Sequence, residues 1–385
     1  MAFLLHPGPG ASPSPGPGGV SKTMLDPRAA FAAGAAARRL RYDFVPTEGR
    51  VKLASVRIGS RDVVAAAAGD HDVFELESLL ELLRPRPAFP PPATLLDVIQ
   101  GGEALLRSVD AALAIVSADE SLGARLRCLP DAWYPPVRAP GKICAVAMNN
   151  SASNARKISA PDHPAFFLKP ASCLIGHLAP IRIRRYYGSV HPEPELAVVI
   201  GRQTRDVPAA RALDAVYGYS IFNDITGNGM RAEDMFHYWA VYPKKDNPNE
   251  TERVEQHLSY AARYKGSDTF GVLGPWLVTR DEIANPDDLE VRCRIHGEVI
   301  AEDSTRYYNY KVAEVISFIS YFHTLNPGDV ISMGTAFKPA ASRQSIHHAN
   351  FQTVSGPVEI SIDGLGTQRN PVVIEEQDLG QWRLR

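Results

Sequence analysis

The middle of the chain contains the segment His191-Pro-Glu-Pro-Glu-Leu-Ala-Val-Val-Ile200, in which an acidic pair precedes an apolar run. The apolar run is typical of a buried strand. Because residues two apart on a strand point to the same side, Glu193 and Glu195 are predicted to direct two carboxylates at one point. Adjacent carboxylates repel each other, and a cation between them removes the repulsion. Since acidic residues are usually exposed, this pattern alone more often marks two surface glutamates.

A second strand is predicted at Val216-Tyr-Gly-Tyr-Ser-Ile-Phe-Asn-Asp-Ile225, with Asp224 near its end. An aspartate there is commonly a turn former or a helix N-cap. Beside Glu193 and Glu195 on a neighbouring strand, Asp224 could also complete a site of three carboxylates. Such an all-oxygen site suits Mg²⁺ or Mn²⁺ and also admits Ca²⁺. No Cys/His cluster in the sequence has zinc-ligand spacing.

Outward from these strands, the pattern predicts an α+β fold that is mainly β. Strands are expected at Val51–Ile58 and at short apolar runs after residue 138, and helices at residues 75–84, 95–116 and about 311–322. The Pro-, Gly- and Ser-rich residues 1–24 are predicted to be disordered, and Met24 is an alternative start. Residues 25–135 are predicted to form a small α+β domain, and residues 138–380 a second domain that carries the acids.

Composition excludes several classes of function. The net charge of the 385-residue chain is −2, which gives no electrostatic reason for a nucleic-acid partner. Apolar runs are too short to span a membrane, and the beginning of the chain has no basic secretory signal, so a cytoplasmic location is expected. The four cysteines are scattered and are predicted to be free thiols.

Seven segments in the second half of the chain resemble the C-terminal domain of the fumarylacetoacetate hydrolase family, and they occur in the family's order. They are Phe166-Phe-Leu-Lys-Pro170, Glu193-Pro-Glu-Leu-Ala-Val-Val-Ile-Gly201, Gly218-Tyr-Ser-Ile-Phe-Asn-Asp224, Lys265-Gly-Ser-Asp-Thr-Phe270, Leu273-Gly-Pro-Trp276, Leu325-Asn-Pro-Gly-Asp-Val330 and Met333-Gly-Thr335. The resemblance covers about residues 138–375 and implies a distorted β-roll, usually in a homodimer.

The resemblance also implies roles for individual residues. Glu193, Glu195 and Asp224 match the family's metal ligands. Lys265 and Thr335 match positions that contact the carboxylate or oxo group of a 2-oxo acid or acylpyruvate substrate. Residue types alone would make Lys265 a surface lysine and Thr335 a turn residue. Gly334 and Arg231 are further candidates for substrate binding.

The chain departs from the family where many members carry a His-Glu dyad that activates water. In register with Asn149, Ser153 replaces the His and Arg156 replaces the Glu; shifted by one, Asn154 and Lys157 stand there. None of these residues is a general base near neutral pH. The segment from Met230 to Trp239 is interpreted as a lid helix that could carry a substitute such as Glu233 or His237, although a packed insertion is the simpler interpretation.

Three functions therefore stay open at the level of sequence. The family favours metal-dependent hydrolysis of a C–C bond in a 2-oxo acid through a metal-stabilised enolate. The missing dyad favours an isomerase, tautomerase or lyase, such as a decarboxylase or dehydratase, which needs less water activation. A non-catalytic relative is the third hypothesis, and the retention of Glu193, Glu195, Asp224, Lys265 and Thr335 argues against it.

Overall fold

Strands supply most of the regular structure in the computed structural model, which describes residues 51–68, 72–154, 157, 160–340, 345–354 and 356–376. The helices in chain order are α1 (Leu76–Leu80), α2 (Leu95–Ala118), α3 (Glu120–Leu126), α4 (Ser151–Asn154), α5 (Ala209–Ala212), α6 (Asn228–Glu233), α7 (Ala262–Gly266) and α8 (Val312–Phe322). The strands in chain order are β1 (Val51–Ile58), β2 (Arg61–Ala68), β3 (Asp72–Glu75), β4 (Arg127–Cys128), β5 (Ala132–Tyr134), β6 (Ile143–Ala147), β7 (Ala165–Lys169), β8 (Leu174–Ile175), β9 (Ile181–Arg184), β10 (Val190–His191), β11 (Pro194–Ile200), β12 (Val216–Asp224), β13 (Thr226–Gly227), β14 (Met235–Pro243), β15 (Thr251–Ser259), β16 (Gly271–Leu273), β17 (Leu277–Thr279), β18 (Glu290–Ile295), β19 (Glu298–Ser304), β20 (Val330–Ser332), β21 (Val358–Ile362), β22 (Gly366–Asn370) and β23 (Val372–Glu375).

The central sheet runs in the order β4-β3-β2-β1-β17-β12-β11-β20-β6-β7. Its middle strands β11 and β12 are buried along their whole length, as their apolar sequences predict. Most neighbours are antiparallel, while β20 and β6 are parallel. The sheet therefore brings segments that are far apart in sequence to the two sides of β11.

The N-terminal strands are continuous with this sheet. Strand β1 pairs antiparallel with β17, with Lys52 opposite Val278 and Leu53 opposite Leu277. Helix α2 covers the neighbouring face and buries an apolar stripe against the sheet, which includes Val98, Ile99 and Val109. The division into two domains near residue 135 stays a prediction.

A second sheet, in the order β19-β18-β21-β22, packs its apolar side into the core with helix α8. The turn between β18 and β19 is His296-Gly297, and both residues have positive φ angles of 52° and 85°. This is the backbone that tight hairpin turns require. Val312, Val315, Ile316 and Ile319 of α8 are buried.

Several predicted elements are confirmed in the structure. Strands β1 and β21 lie where the sequence predicts them, α2 covers the predicted 95–116, and α8 covers most of the predicted 311–322. Two details are wrong. Phe322 continues the apolar spacing of Val315 and Ile319, which predicts that it faces the core, yet it is 63% exposed. The apolar run from Val272 to Val278 forms two strands, because Gly274 interrupts it with φ +111°.

The helix predicted for Met230–Trp239 is also wrong. Helix α6 ends at Glu233, and the next residues form β14, which pairs with β15 from Met235 opposite Ser259 to Pro243 opposite Thr251. Aromatic and β-branched residues favour an extended strand when a partner strand is available. Here the partner strand is β15, which begins at Thr251 and lies outside the segment from which the helix was predicted. The pair β14–β15, called the hairpin below, forms a separate two-stranded sheet.

The predicted disorder of residues 1–24 lies outside the described residues. Among the described helices, none is long and apolar enough to cross a membrane.

Candidate metal centre

Three carboxylates meet where strands β11 and β12 lie side by side. Glu195 is the second residue of β11, Asp224 is the last residue of β12, and Glu193 immediately precedes β11. The backbone locks them together, since Asp224 N donates to the Glu193 carbonyl at 3.0 Å, and Glu193 N donates to the Asn223 side chain at 3.0 Å. One oxygen from each carboxylate lies within 4.8 Å of the other two. The structure thus brings the three predicted ligands together.

Two lysines balance part of this negative charge. Lys265 on α7 donates to Glu193 Oε2 at 3.0 Å and to Asp224 Oδ2 at 2.6 Å. Lys169, the last residue of β7, donates to Asp224 Oδ1 at 2.6 Å and to the Phe270 carbonyl at 3.2 Å. Both side chains are buried. Lys265 was a candidate from the sequence, whereas Lys169 was missed, although a lysine that ends an apolar strand is a signal for a buried, paired charge.

The segment after β20 closes the other side of the cluster. Thr335 Oγ1 donates to Glu193 Oε2 at 2.7 Å, and Gly334 N donates to Glu195 Oε2 at 3.0 Å. Ser332 Oγ also hydrogen bonds to Glu195 Oε2. Gly334 has φ +95°, and a Cβ there would lie 2.9 Å from Asn149 Cβ. A glycine is therefore needed to bring this backbone N–H against the carboxylate.

The close packing of these charged groups shifts their pKa values. Burial raises the pKa of Glu195 well above its ordinary value, and the Asp224 carboxylate adds to the rise. Burial also acts to raise the pKa of Glu193, but the Lys265 ammonium and a hydrogen bond from His191 hold it well below its ordinary value. For Lys265, burial acts to lower the pKa, yet the charges of Asp224 and Glu193 raise it above the ordinary value. The cluster thus sets three carboxyl groups against the two ammonium groups of Lys169 and Lys265.

These properties fit a divalent cation. An added double charge would favour the ionised form of Glu195, as a bound cation does for acidic neighbours. The donors are all carboxylate oxygens on rigid strands, which matches the preference of Mg²⁺ and Mn²⁺. Glu193, Glu195 and Asp224 are thus the residues that would hold such an ion.

The stretch that stands in place of the His-Glu dyad lies against Thr335. Asn149 Nδ2 donates to the Met333 carbonyl at 2.8 Å, and Asn150 Nδ2 donates to the Thr335 carbonyl at 2.7 Å. Ser153 Oγ donates to Asn150 Oδ1 at 3.0 Å. Ser153 therefore supports a loop contact, and Arg156 lies outside the described residues.

The other candidate residues contact residues outside the carboxylate cluster. Arg231 is exposed on α6, with its guanidinium 5.8 Å from the centre of the Tyr264 ring. Glu233 forms an ion pair with Arg263 at 2.9 Å, and His237 is hydrogen bonded to Glu255 on the hairpin. The group of three carboxylates includes neither Glu233 nor His237.

Two further residues that contact Glu193 had no role assigned from the sequence. His191 is buried, and its Nε2 lies 3.1 Å from Glu193 Oε1. Thr226 Oγ1 donates to the same oxygen at 2.6 Å. Both residues lie on the short strand pair β10–β13. They hold the Glu193 carboxylate in place from the side opposite Lys265 and Thr335.

Comparison with known proteins identifies the family of the chain. The family model described as fumarylacetoacetate (FAA) hydrolase C-terminal matches residues 142–373. A mitochondrial oxaloacetate tautomerase of Bos taurus is 31% identical over 293 residues, which cover 74% of this chain and 82% of that protein.

Solved structures share the fold. The 5-carboxymethyl-2-hydroxymuconate delta-isomerase from Mycobacterium smegmatis matches with a TM-score of 0.55 and 26% identity, covering 85% of this chain and 100% of its own. A maleylpyruvate hydrolase from Sphingobium sp. SYK-6 has a TM-score of 0.58 at 24% identity, covering 84% of this chain and 100% of its own, and supports the fold alone. The predicted fold class is confirmed, and the chain belongs to the fumarylacetoacetate hydrolase family.

Proposed function

We propose that this protein is a divalent-metal-dependent enzyme that isomerises or tautomerises a 2-oxo acid. The observation that carries the proposal is the buried cluster of Glu193, Glu195 and Asp224, with Lys265 bonded to two of the three carboxylates. A structural role would not require three acids to be crowded in the core. The names of the bovine tautomerase and the mycobacterial isomerase support the same class of reaction.

The residues of the cluster have separable tasks in this proposal. When bound by the three carboxylates, Mg²⁺ or Mn²⁺ supplies Lewis-acid polarisation of a 2-oxo group and its neighbouring carboxylate. Lys265 adds a fixed positive charge at the position where an oxyanion would develop. Thr335 offers a hydroxyl beside Glu193. The side-chain amide of Asn150 holds the backbone of Thr335 in place by donating to the Thr335 carbonyl. Gly334 and Ser332 orient Glu195 by donating to Oε2.

The stretch around Ser153 favours isomerisation over hydrolysis. Hydrolysis of a C–C bond needs an activated water in addition to a stabilised enolate, and a serine hydroxyl is not a base at neutral pH. Ser153 Oγ is moreover used in a hydrogen bond to Asn150. Isomerisation still needs an acid–base group that moves a proton between two atoms of the substrate, but it needs no activated water. C–C hydrolysis, which the family name favours, is the competing outcome of the assay below.

The first prediction is that Glu195→Gln lowers turnover by about 100-fold or more, because it removes one ligand charge from the metal centre. The assay follows the ultraviolet absorbance of oxaloacetate and of acylpyruvates with Mg²⁺ or Mn²⁺, and product analysis distinguishes isomer from cleavage products. Glu298→Gln, an exposed acid on β19, is the matched control and should retain full activity. Turnover that does not depend on added metal, or that survives Glu195→Gln, would sink the proposal.

A further inference from the structure

The hairpin lies in the sequence between Asp224 and Lys265, and almost all of its side chains are exposed. In the described structure it pairs with no third strand. Isolated two-stranded hairpins are marginally stable in water unless something staples or covers them. An interaction that joins the two strands would therefore stabilise the hairpin.

One face of the hairpin carries two histidines and a glutamate. His237 lies directly opposite His257 in the antiparallel register, and Glu255 lies two residues before His257, on the same face. The two imidazole rings stack with centroids 4.1 Å apart and an interplanar angle of 13°. Both Nε2 atoms approach the same oxygen: His237 is hydrogen bonded to Glu255 Oε1, and His257 Nε2 lies 3.7 Å from it.

An ion pair with Glu255 would need only one of these two histidines. Two stacked imidazole rings repel each other when both are protonated. Two imidazole nitrogens and one carboxylate oxygen that lie this close together are instead a donor set that a metal ion can use. One ligand atom from each of the three residues lies within 4.8 Å of the other two.

Coordination requires one imidazole to turn, because rings stacked at an interplanar angle of 13° direct their in-plane Nε2 lone pairs side by side. Metal–ligand bonds of about 2.0–2.1 Å at tetrahedral angles separate neighbouring ligand atoms by about 3.4 Å. The 3.7 Å separation of His257 Nε2 and Glu255 Oε1 is near that value. The side chains of His237, Glu255 and His257 are 57%, 50% and 61% exposed, so small rotations meet little packing resistance.

We propose that His237, Glu255 and His257 form a second metal site that takes a nitrogen-preferring ion such as Zn²⁺ and staples the two strands of the hairpin. Imidazole donors favour Zn²⁺ over Mg²⁺, whereas the carboxylate cluster at Glu195 favours the reverse. The three side chains leave the fourth tetrahedral position to water. The sequence did not predict this site, because its histidines are twenty residues apart and meet only across the hairpin register.

The test is calorimetric titration of the full chain with ZnCl₂ in the presence of excess MgCl₂. The wild type should bind one equivalent of Zn²⁺ at the hairpin, and His257→Gln or His237→Gln should weaken that binding by about 30-fold or more. His348→Gln, which changes an exposed histidine elsewhere, and Glu195→Gln should bind Zn²⁺ like the wild type. The Glu195→Gln arm separates this site from the proposed metal centre.

Hydrogen exchange gives a second readout that does not depend on binding heat. Zn²⁺ should slow exchange of the amides of β14 and β15 in the wild type and not in His257→Gln, because only a cross-strand staple suppresses opening of the hairpin. Equal Zn²⁺ affinity in the wild type and in both hairpin variants would overturn the proposal. So would Zn²⁺ binding that is lost in Glu195→Gln alone.

Discussion

The ammonium group of Lys169 is buried against the Asp224 carboxylate and the carbonyls of Lys265 and Phe270. Lys169→Met keeps the volume of the side chain but leaves Asp224 Oδ1 and these carbonyls without that donor. Breaking a buried ion pair from one side costs about 3–5 kcal/mol. We expect the free energy of unfolding in urea to fall by that amount.

The control for this substitution is an exposed ion pair. Arg292 on β18 pairs with Glu302 on β19, and the two side chains are 50% and 40% exposed. Arg292→Met should lower the free energy of unfolding by about 1 kcal/mol or less, because water screens exposed pairs. Equal losses in the two variants would mean that Lys169 is not held by a buried network.

His177 makes the stability of the protein depend on pH. Burial, with the nearby charge of Arg369, lowers the pKa of His177 from 6.5 to about 3. Its Nδ1 accepts a hydrogen bond from Arg369 N at 3.0 Å, which protonation would abolish. Between these two pKa values the unfolded chain binds a proton that the folded chain does not. The contribution of His177 is thus fully present above pH 6.5 and is lost as pH falls towards 3.

Between pH 7 and pH 5, the titration of His177 should lower the free energy of unfolding by about 2 kcal/mol. Urea unfolding of the wild type and of His177→Gln at both pH values measures it, since Gln cannot titrate. The variant should lose less stability than the wild type over this interval by that amount. The same pH dependence in both proteins would contradict the assignment.

At the scale of elements, strands β12 and β17 approach each other closely at Gly218. A Cβ at this position would lie 2.2 Å from the Val278 carbonyl oxygen, which is backbone and cannot rotate away. Gly218→Ala should therefore push the two strands apart and destabilise the protein by about 1–3 kcal/mol. The melting temperature measures the effect, and Gly123→Ala on α3 is the control. There the nearest atom is the Val116 carbonyl oxygen at 3.2 Å, a tight contact that opposes the preference of alanine for a helix, which is about 1 kcal/mol. A smaller change than at Gly218 is therefore expected.

The elements that sequence predicts well are those whose pattern is local. Helix α8 repeats apolar residues every three to four positions, and β21 alternates buried and half-buried residues. Strand β14 was mistaken for a helix because its extended form depends on β15, which begins at Thr251. Tertiary pairing overrode a weak local preference there.

At the scale of the whole molecule, the continuity of the central sheet predicts the behaviour of a shortened chain. A chain that begins at residue 135 would lack β1 and would expose the edge of β17, including Leu277, which is fully buried in the intact protein. Exposed apolar edges promote association. We expect this fragment to aggregate and to bind a hydrophobic dye, measured by size-exclusion chromatography and dye fluorescence. A monomeric fragment with a sharp thermal transition would instead support two independent domains.

The same long-range architecture explains how much of the candidate site was predictable. Glu193, Glu195 and Asp224 stood out because they lie at the start of β11 and the end of β12 and belong to family motifs. The roles of Lys169 and Ser332 depend on contacts across 55 and 137 residues of sequence. No local pattern encodes such pairings, and only the register of the assembled sheet creates them.

The exposed face of the hairpin also has an optical consequence. Trp239 on β14 is 60% exposed, whereas Trp276 is 2% exposed and stacks edge-on against Trp133 with ring centroids 4.9 Å apart. In a Trp382→Phe background, an ionic quencher such as iodide will reach the indole of Trp239 far more readily than the packed pair. The emission spectrum then separates into a red-shifted, quenchable component and a blue-shifted, protected one. The hairpin and the core can thus be followed independently in one cuvette, without any added label.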